Sequence, residues 1–109
     1  MRKTLILVIL LPFISFSQKI YTVNYASQAD LKVYVVNYAS QADLKTYKVD
    51  YASQVTRNEG RWHFVDYASQ ADLKIYFVDY ASQADLKIYF VDYVSQAGWT
   101  NKSKKHLLY

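Results

Sequence analysis

One short string governs this chain. Tyr-Ala-Ser-Gln opens at Tyr25, Tyr38, Tyr51, Tyr67 and Tyr80, and Tyr93-Val94-Ser95-Gln96 is a sixth, altered copy. The spacings are 13, 13, 16, 13 and 13 residues. A full unit reads Ala-Asp-Leu-Lys-Ile-Tyr-Phe-Val-Asp-Tyr-Ala-Ser-Gln, as at positions 71–83. A chain written this way folds as copies of one small unit that bury a shared interior, because a single unit cannot cover its own apolar face. The copies fall into two groups of three, separated where Val55-Thr56-Arg57-Asn58-Glu59-Gly60-Arg61 replaces Ala-Asp-Leu-Lys. The first group prefers Asn and Val (Asn24, Asn37, Val35) and the second Asp and Phe (Asp66, Asp79, Phe77, Phe90), as in two related halves joined by a loop.

A helical unit fails on geometry. At about 100° per residue, thirteen residues overshoot whole turns by roughly 220°, so equivalent residues would spiral and build no stripe. Ile-Tyr-Phe-Val is β-branched and aromatic, which suits a strand. With period two, Leu73, Ile75 and Phe77 share one face, as do Leu31, Val33 and Val35, and Leu86, Ile88 and Phe90; Lys74, Tyr76, Val78 and Tyr80 share the other. The Leu/Ile/Phe face is the expected core, and the tyrosine face packs its rings while its hydroxyls reach water or backbone. Thr46 and Lys48 put polar residues at two core positions, which predicts that this strand lies at an edge or near the connecting loop.

Between strands the chain must bend without glycine, and the residues that favour two-residue hairpins are absent. Ser27, Ser40, Ser69 and Ser82 each precede an Asp by three residues, a capping-like pattern for a single helical turn. The local plan is strand, one-turn bend, strand. Periodicity leaves open whether strands pair within a half or between halves.

Composition narrows the function. The 109 residues contain no cysteine and two glycines, which excludes disulfides, thiolate metal sites, cysteine nucleophiles and glycine-rich phosphate loops. Met1-Arg2-Lys3, the apolar run Leu5–Phe16 and the small residues Ser15 and Ser17 form a signal-peptide pattern, with cleavage near Ser17/Gln18. The run is shorter than the ~20 residues that span a membrane. Residues 1–17 are therefore expected to be a leader and 18–109 one exported domain, periplasmic or secreted, with no membrane attachment after cleavage. Without Arg2 and Lys3 the formal charge falls from +4 to +2. The basic cluster Lys102, Lys104 and Lys105 sits in a tail read as a solvated terminus, so no nucleic-acid face is expected. Asn101-Lys102-Ser103 matches a glycosylation acceptor, a triplet that recurs by chance.

The repeated string Ala-Asp-Leu-Lys-Ile-Tyr-Phe-Val-Asp-Tyr-Ala-Ser-Gln-Ala, closing on Ala97-Gly98-Trp99, resembles the septoil-knot family, over Lys19 to about Leu108. The resemblance implies a small β-rich domain whose backbone follows a seven-crossing torus path, circling one axis twice, with Val55–Arg61 as the passage between laps. The topology rules for folds hold such knots to be essentially absent. It transfers no catalytic residues. The expected fold is all-β with short helical turns, six repeats of thirteen residues in a two-lap arrangement.

The carboxylates Asp30, Asp43, Asp72 and Asp85 each have a lysine two residues on, which makes an ion pair or turn cap a better account than calcium. Asn24, Asn37, Asp50, Asp66, Asp79 and Asp92 precede the bends and are read as acceptors for backbone N–H groups there. Repetition argues against catalysis, since an active site needs one asymmetric constellation. No metal and no cofactor are expected. The residues that break the repeat are the candidates for contact with a ligand or partner: Arg57, Asn58, Glu59, Arg61, Trp62 and His63. Trp62 falls in the slot held by Ile75 elsewhere and His63 in that of Tyr76. Three readings result: a non-catalytic structural or binding domain; a carbohydrate- or surface-binding module using exposed tyrosines and the 55–63 loop, with a glycan or protein partner; and a hydrolase working through Glu59 and His63. The first is the expectation. Rings of Tyr76 and Tyr89 that are coplanar and open to solvent would favour the second, buried rings a structural role, and a pocket joining Glu59 to His63 the third.

Overall fold

Each Leu-Lys-Ile-Tyr-Phe segment is extended, as its β-branched and aromatic residues require. The computed structural model describes residues 18–55 and 58–108, Ala52 by backbone alone; residues 1–17, expected to be a leader, and the candidate Arg57 lie outside the described residues. The strands are β1 (Lys19–Thr22), β2 (Leu31–Val35), β3 (Leu44–Lys48), β4 (Arg61–Phe64), β5 (Leu73–Phe77), β6 (Leu86–Phe90) and the two-residue β7 (Gly98–Trp99). The fold is all-β with short helical turns, as the repeat predicted.

Strands β1 to β6 run parallel in the order β4-β1-β5-β2-β6-β3, and a β3–β4 pairing closes them into a six-stranded barrel. Every pairing within the barrel joins one strand of the first group to one of the second. The register places Ile20 beside Leu73, Leu31 beside Ile75, Val33 beside Leu86 and Leu44 beside Ile88. Neighbours are thus displaced by two residues. An even step preserves side-chain parity, so all six aliphatic faces turn inward together.

Parallel neighbours need crossover connections. Here each crossover passes outside a strand of the other group and bonds to it. Between β1 and β2, Val23 N–H donates to Ile75 O and Asp30 N–H to Lys74 O, both at 2.8 Å across β5. The β4–β5 connection treats β1 in the same way, through Val65 to Ile20 O and Asp72 to Lys19 O, also at 2.8 Å. Two laps are therefore interleaved strand by strand, with the segment after Gln54 as the passage between them.

The interior holds Ile20, Leu31, Val33, Leu44, Trp62, Ile75, Leu86, Ile88 and Leu108, with Leu73, Phe64, Phe77 and Phe90 packed against them. A barrel this narrow is filled by side chains. Val35 departs from the expected core. It ends its strand at the barrel mouth and is 39% exposed. Strand β3 is not an edge: it pairs with β6 and β4, and β7 adds antiparallel to it. Closure leaves no edge there, and the other alternative holds: β3 lies against the connecting loop, with Tyr47 N–H donating to Gly60 O at 2.7 Å. Thr46 is fully buried and its Oγ1 has no hydrogen-bond partner among the described residues, while Lys48 reaches solvent at the mouth, its Nζ 4.6 Å from the Phe90 ring centroid and 5.4 Å from that of Phe64.

Candidate functional site

The bends come first, because they position everything outside the barrel. Each Ala-Ser-Gln forms one 3₁₀ turn, closed in the first copy by Gln28 N–H to Tyr25 O at 3.0 Å and Ala29 N–H to Ala26 O at 3.1 Å, a pattern repeated down the chain. The serines do not cap these turns. They sit inside them, and the preceding tyrosine occupies the N-cap position with extended angles and no side-chain cap bond, as at Tyr25, Tyr38, Tyr67 and Tyr80. Three-residue turns closed by their own backbone leave the serine hydroxyl little to cap. Nor do Asn24, Asn37, Asp50, Asp66, Asp79 and Asp92 hold the bends: all are exposed, and none has a side-chain hydrogen bond among the described residues.

The other carboxylates clamp one lap to the other. Lys74 N–H donates to Asp30 Oδ2 at 2.9 Å while Asp30 N–H donates to Lys74 O at 2.8 Å. Asp43 with Lys87, Asp72 with Lys19 and Asp85 with Lys32 repeat the exchange. Each aspartate therefore satisfies a strand N–H of the opposite lap instead of pairing with the lysine two residues on, and a carboxylate acceptor makes that bond roughly twice as strong as a neutral one.

The loop that breaks the repeat divides its candidate residues. Trp62 is fully buried and donates Nε1–H to Gln18 Oε1 at 3.0 Å; Gln18 Nε2 donates to Leu108 O at 3.2 Å. Asn58 is 1% exposed, with Nδ2 donating to Lys105 O at 3.0 Å and its backbone carbonyl accepting from Trp99 Nε1 at 2.9 Å. Glu59 is exposed, while Arg61 and His63 are half-buried; His63 Nδ1 lies 3.2 Å from Val49 O. The loop does not present these residues as one patch, because Asn58 and Trp62 face the interior.

What they hold is the C-terminal segment. The tail is not a solvated terminus but a 3₁₀ helix, Lys102–Leu108, that buries Leu108 against the barrel interior. Asn101 caps it through Oδ1, which accepts Ser103 N–H at 3.3 Å and the Ser103 hydroxyl at 2.6 Å, and Asn101 Nδ2 donates to Asp43 Oδ1 at 3.2 Å. The amide of the glycosylation-like triplet is thus already engaged. Lys104 Nζ lies 3.3 Å from Asp43 Oδ2. Burial works to raise the Asp43 carboxyl, but the Lys87 N–H, the Asn101 amide and the Lys104 charge outweigh it and hold the group below its ordinary value.

Among the aromatic residues, the tyrosines of the turns face outward. Tyr25, Tyr38, Tyr51, Tyr67, Tyr80 and Tyr93 are each 66–68% exposed on their turns. The strand tyrosines Tyr34, Tyr47, Tyr76 and Tyr89 are half-buried under the crossovers. Sequence reasoning placed Tyr80 on the same face as Tyr76, and its position next to Ala-Ser-Gln was the signal that it belongs to the turn instead. Three clefts open between crossovers and strands. The first, about 420 Å³, contains His63, Lys19 and Asp72; the second, about 670 Å³, Tyr76, Lys32 and Asp85; the third, about 380 Å³, Tyr89, Lys45 and Asp92. Glu59 does not line the His63 cleft. Among the described residues, no three His, Asp or Glu side chains gather as a metal-ligand set.

Comparison with curated proteins and with solved structures gave no match to this chain. The sequence model of the 7(1) septoil knot domain matches residues 17–100, which covers all six barrel strands and β7. The interleaved laps, the repeat and this match agree, and the chain belongs to the septoil-knot family.

Proposed function

We propose that this chain is an exported, non-catalytic binding domain that meets its partner through the tyrosines of its turns. The observation that carries this reading is the two-thirds exposure of six tyrosine rings on turns of one geometry. These rings add little to the core, and their recurrence on every turn is the feature that a partner would meet. Tyrosine suits that task, since it offers a large amphipathic contact with few torsions to freeze. The exposed Asn or Asp before each ring and the Ser after it add hydrogen-bonding groups, a combination that fits a polymer with repeated polar units, such as a glycan, better than a single small molecule. Absence of catalysis is supported by repetition: the same groups recur in every unit, and the unrepeated Asn58 and Trp62 are spent on packing. Export rests on the leader pattern of residues 1–17.

The test is retention of the chain Gln18–Tyr109 on insoluble polysaccharides and on cell-surface preparations. Replacing all six turn tyrosines by serine should abolish retention while leaving the circular dichroism spectrum unchanged. Equal retention of the two proteins would refute the reading. Secretion of the full chain, followed by mass determination, should give a product beginning at Gln18.

A further inference from the structure

The three clefts are one cleft written three times. Lys19, Lys32 and Lys45 stand in them at thirteen-residue intervals, opposite His63, Tyr76 and Tyr89 at the same interval. The register makes these residues direct cross-strand partners: Lys19 with His63, Lys32 with Tyr76 and Lys45 with Tyr89. Gln70, Gln83 and Gln96 complete the set from the crossovers. The cleft is thus a product of the repeat and of the two-residue stagger between laps.

Its chemistry is specific. In the second cleft Asp85 Oδ2 is occupied by Lys32 N–H at 2.9 Å, and Gln83 is exposed with no hydrogen bond from its side chain among the described residues. Each cleft sets a lysine against carboxylate, Asp72 in the first, Asp79 and Asp85 in the second and Asp92 in the third, so an anion is disfavoured in all three and hydrogen-bonding groups of both signs stand beside each ring. A half-buried phenol ring beside amide, ammonium and carboxylate groups matches a neutral ligand with one apolar face and several hydroxyls. That is the chemistry of a pyranose.

We infer that the clefts containing Tyr76 and Tyr89 are two equivalent sites for neutral sugar residues, and that the His63 cleft is the same site without its stacking phenol. This inference rests on the binding reading above and adds a second contact, inside the crossovers instead of on the turns.

The experiment is an NMR titration of Gln18–Tyr109 carrying isotope-labelled tyrosine, with cellotriose, maltotriose and chitotriose as separate probes. At least one trisaccharide should shift the ring signals of Tyr76 and Tyr89 together, with two sites per chain. Gln83→Ala, a surface change that the fold does not need, should weaken the Tyr76 site at least fivefold and leave the Tyr89 site unchanged. His63→Tyr should add a third site. Shifts confined to the turn tyrosines would overturn the cleft assignment while leaving the binding reading intact. Silence of Tyr76 and Tyr89 with all three probes would overturn it as well, and retention on insoluble polymer would then decide the binding reading separately.

Discussion

The repeated units and the residues that interrupt them do different work. The units build a wall: five strands with near-identical faces, clamped lap to lap by aspartates that serve the opposite strand. The interruptions build a seam. Gln18, Asn58, Gly60, Trp62, Trp99 and the segment Asn101–Leu108 appear once each, and they close the barrel at the end where its strands begin. At the other end, where none of these residues lies, Phe64, Phe77 and Phe90 are half-buried, and Lys48 Nζ stands over the rings of Phe64 and Phe90. Repetition supplies a wall of any register. A single register requires something that is not repeated.

The largest expected effect tests the wall. Strands β1, β2 and β3 pair with the second lap and not with one another. The peptide Gln18–Gln54 should therefore be a disordered coil by circular dichroism, and a folded half would break the comparison. Next comes the seam. Trp62→Ala removes the largest fully buried side chain together with the Nε1–H donor to Gln18 Oε1, with an expected loss of about 3–5 kcal/mol in chemical denaturation. Gly60→Ala should cost about 1–3 kcal/mol, because φ is +93° there and a Cβ would collide with the Lys45 carbonyl oxygen.

Asp43 joins wall and seam, and its effect is pH-dependent. Its folded carboxyl titrates below the unfolded one, so its contribution is complete above the unfolded value and is lost as pH falls through the folded value. The stability gap between the parent chain and Asp43→Asn should therefore be constant near neutral pH and shrink as pH falls through the carboxylate range. A constant gap would mean that the carboxylate is not what joins them. Smallest is Lys48→Ala at the open mouth, expected to change stability by less than about 1 kcal/mol because the cation lies over two rings in solvent.

Much of the wall was legible. The thirteen-residue spacing fixed the strand period, and Leu31, Val33, Leu86 and Ile88 are inside as their alternation demanded. Val35 misled because parity reports which face a side chain takes, not how far along the barrel it stands. Thr46 and Lys48 marked the strand that lies against the connecting loop and not an edge, because a closed sheet has none. The tail read as solvated because Leu107 and Leu108 are too few to show a period, and their burial depends on an opening that three distant segments create. The clefts were invisible for the same reason: each sets a residue of one lap against a residue more than forty positions away in the other.

The amino-acid order alone determined that the chain is built of strands, which face of each is apolar, and where the bends fall, since these depend on neighbours a few residues apart. Only the tertiary structure decided which strand lies beside which, which end is sealed, and that the turn tyrosines face water. Near-identical units are energetically interchangeable as partners, so nothing within one unit can select its neighbour. That choice belongs to barrel closure and to the few unrepeated side chains at the seam.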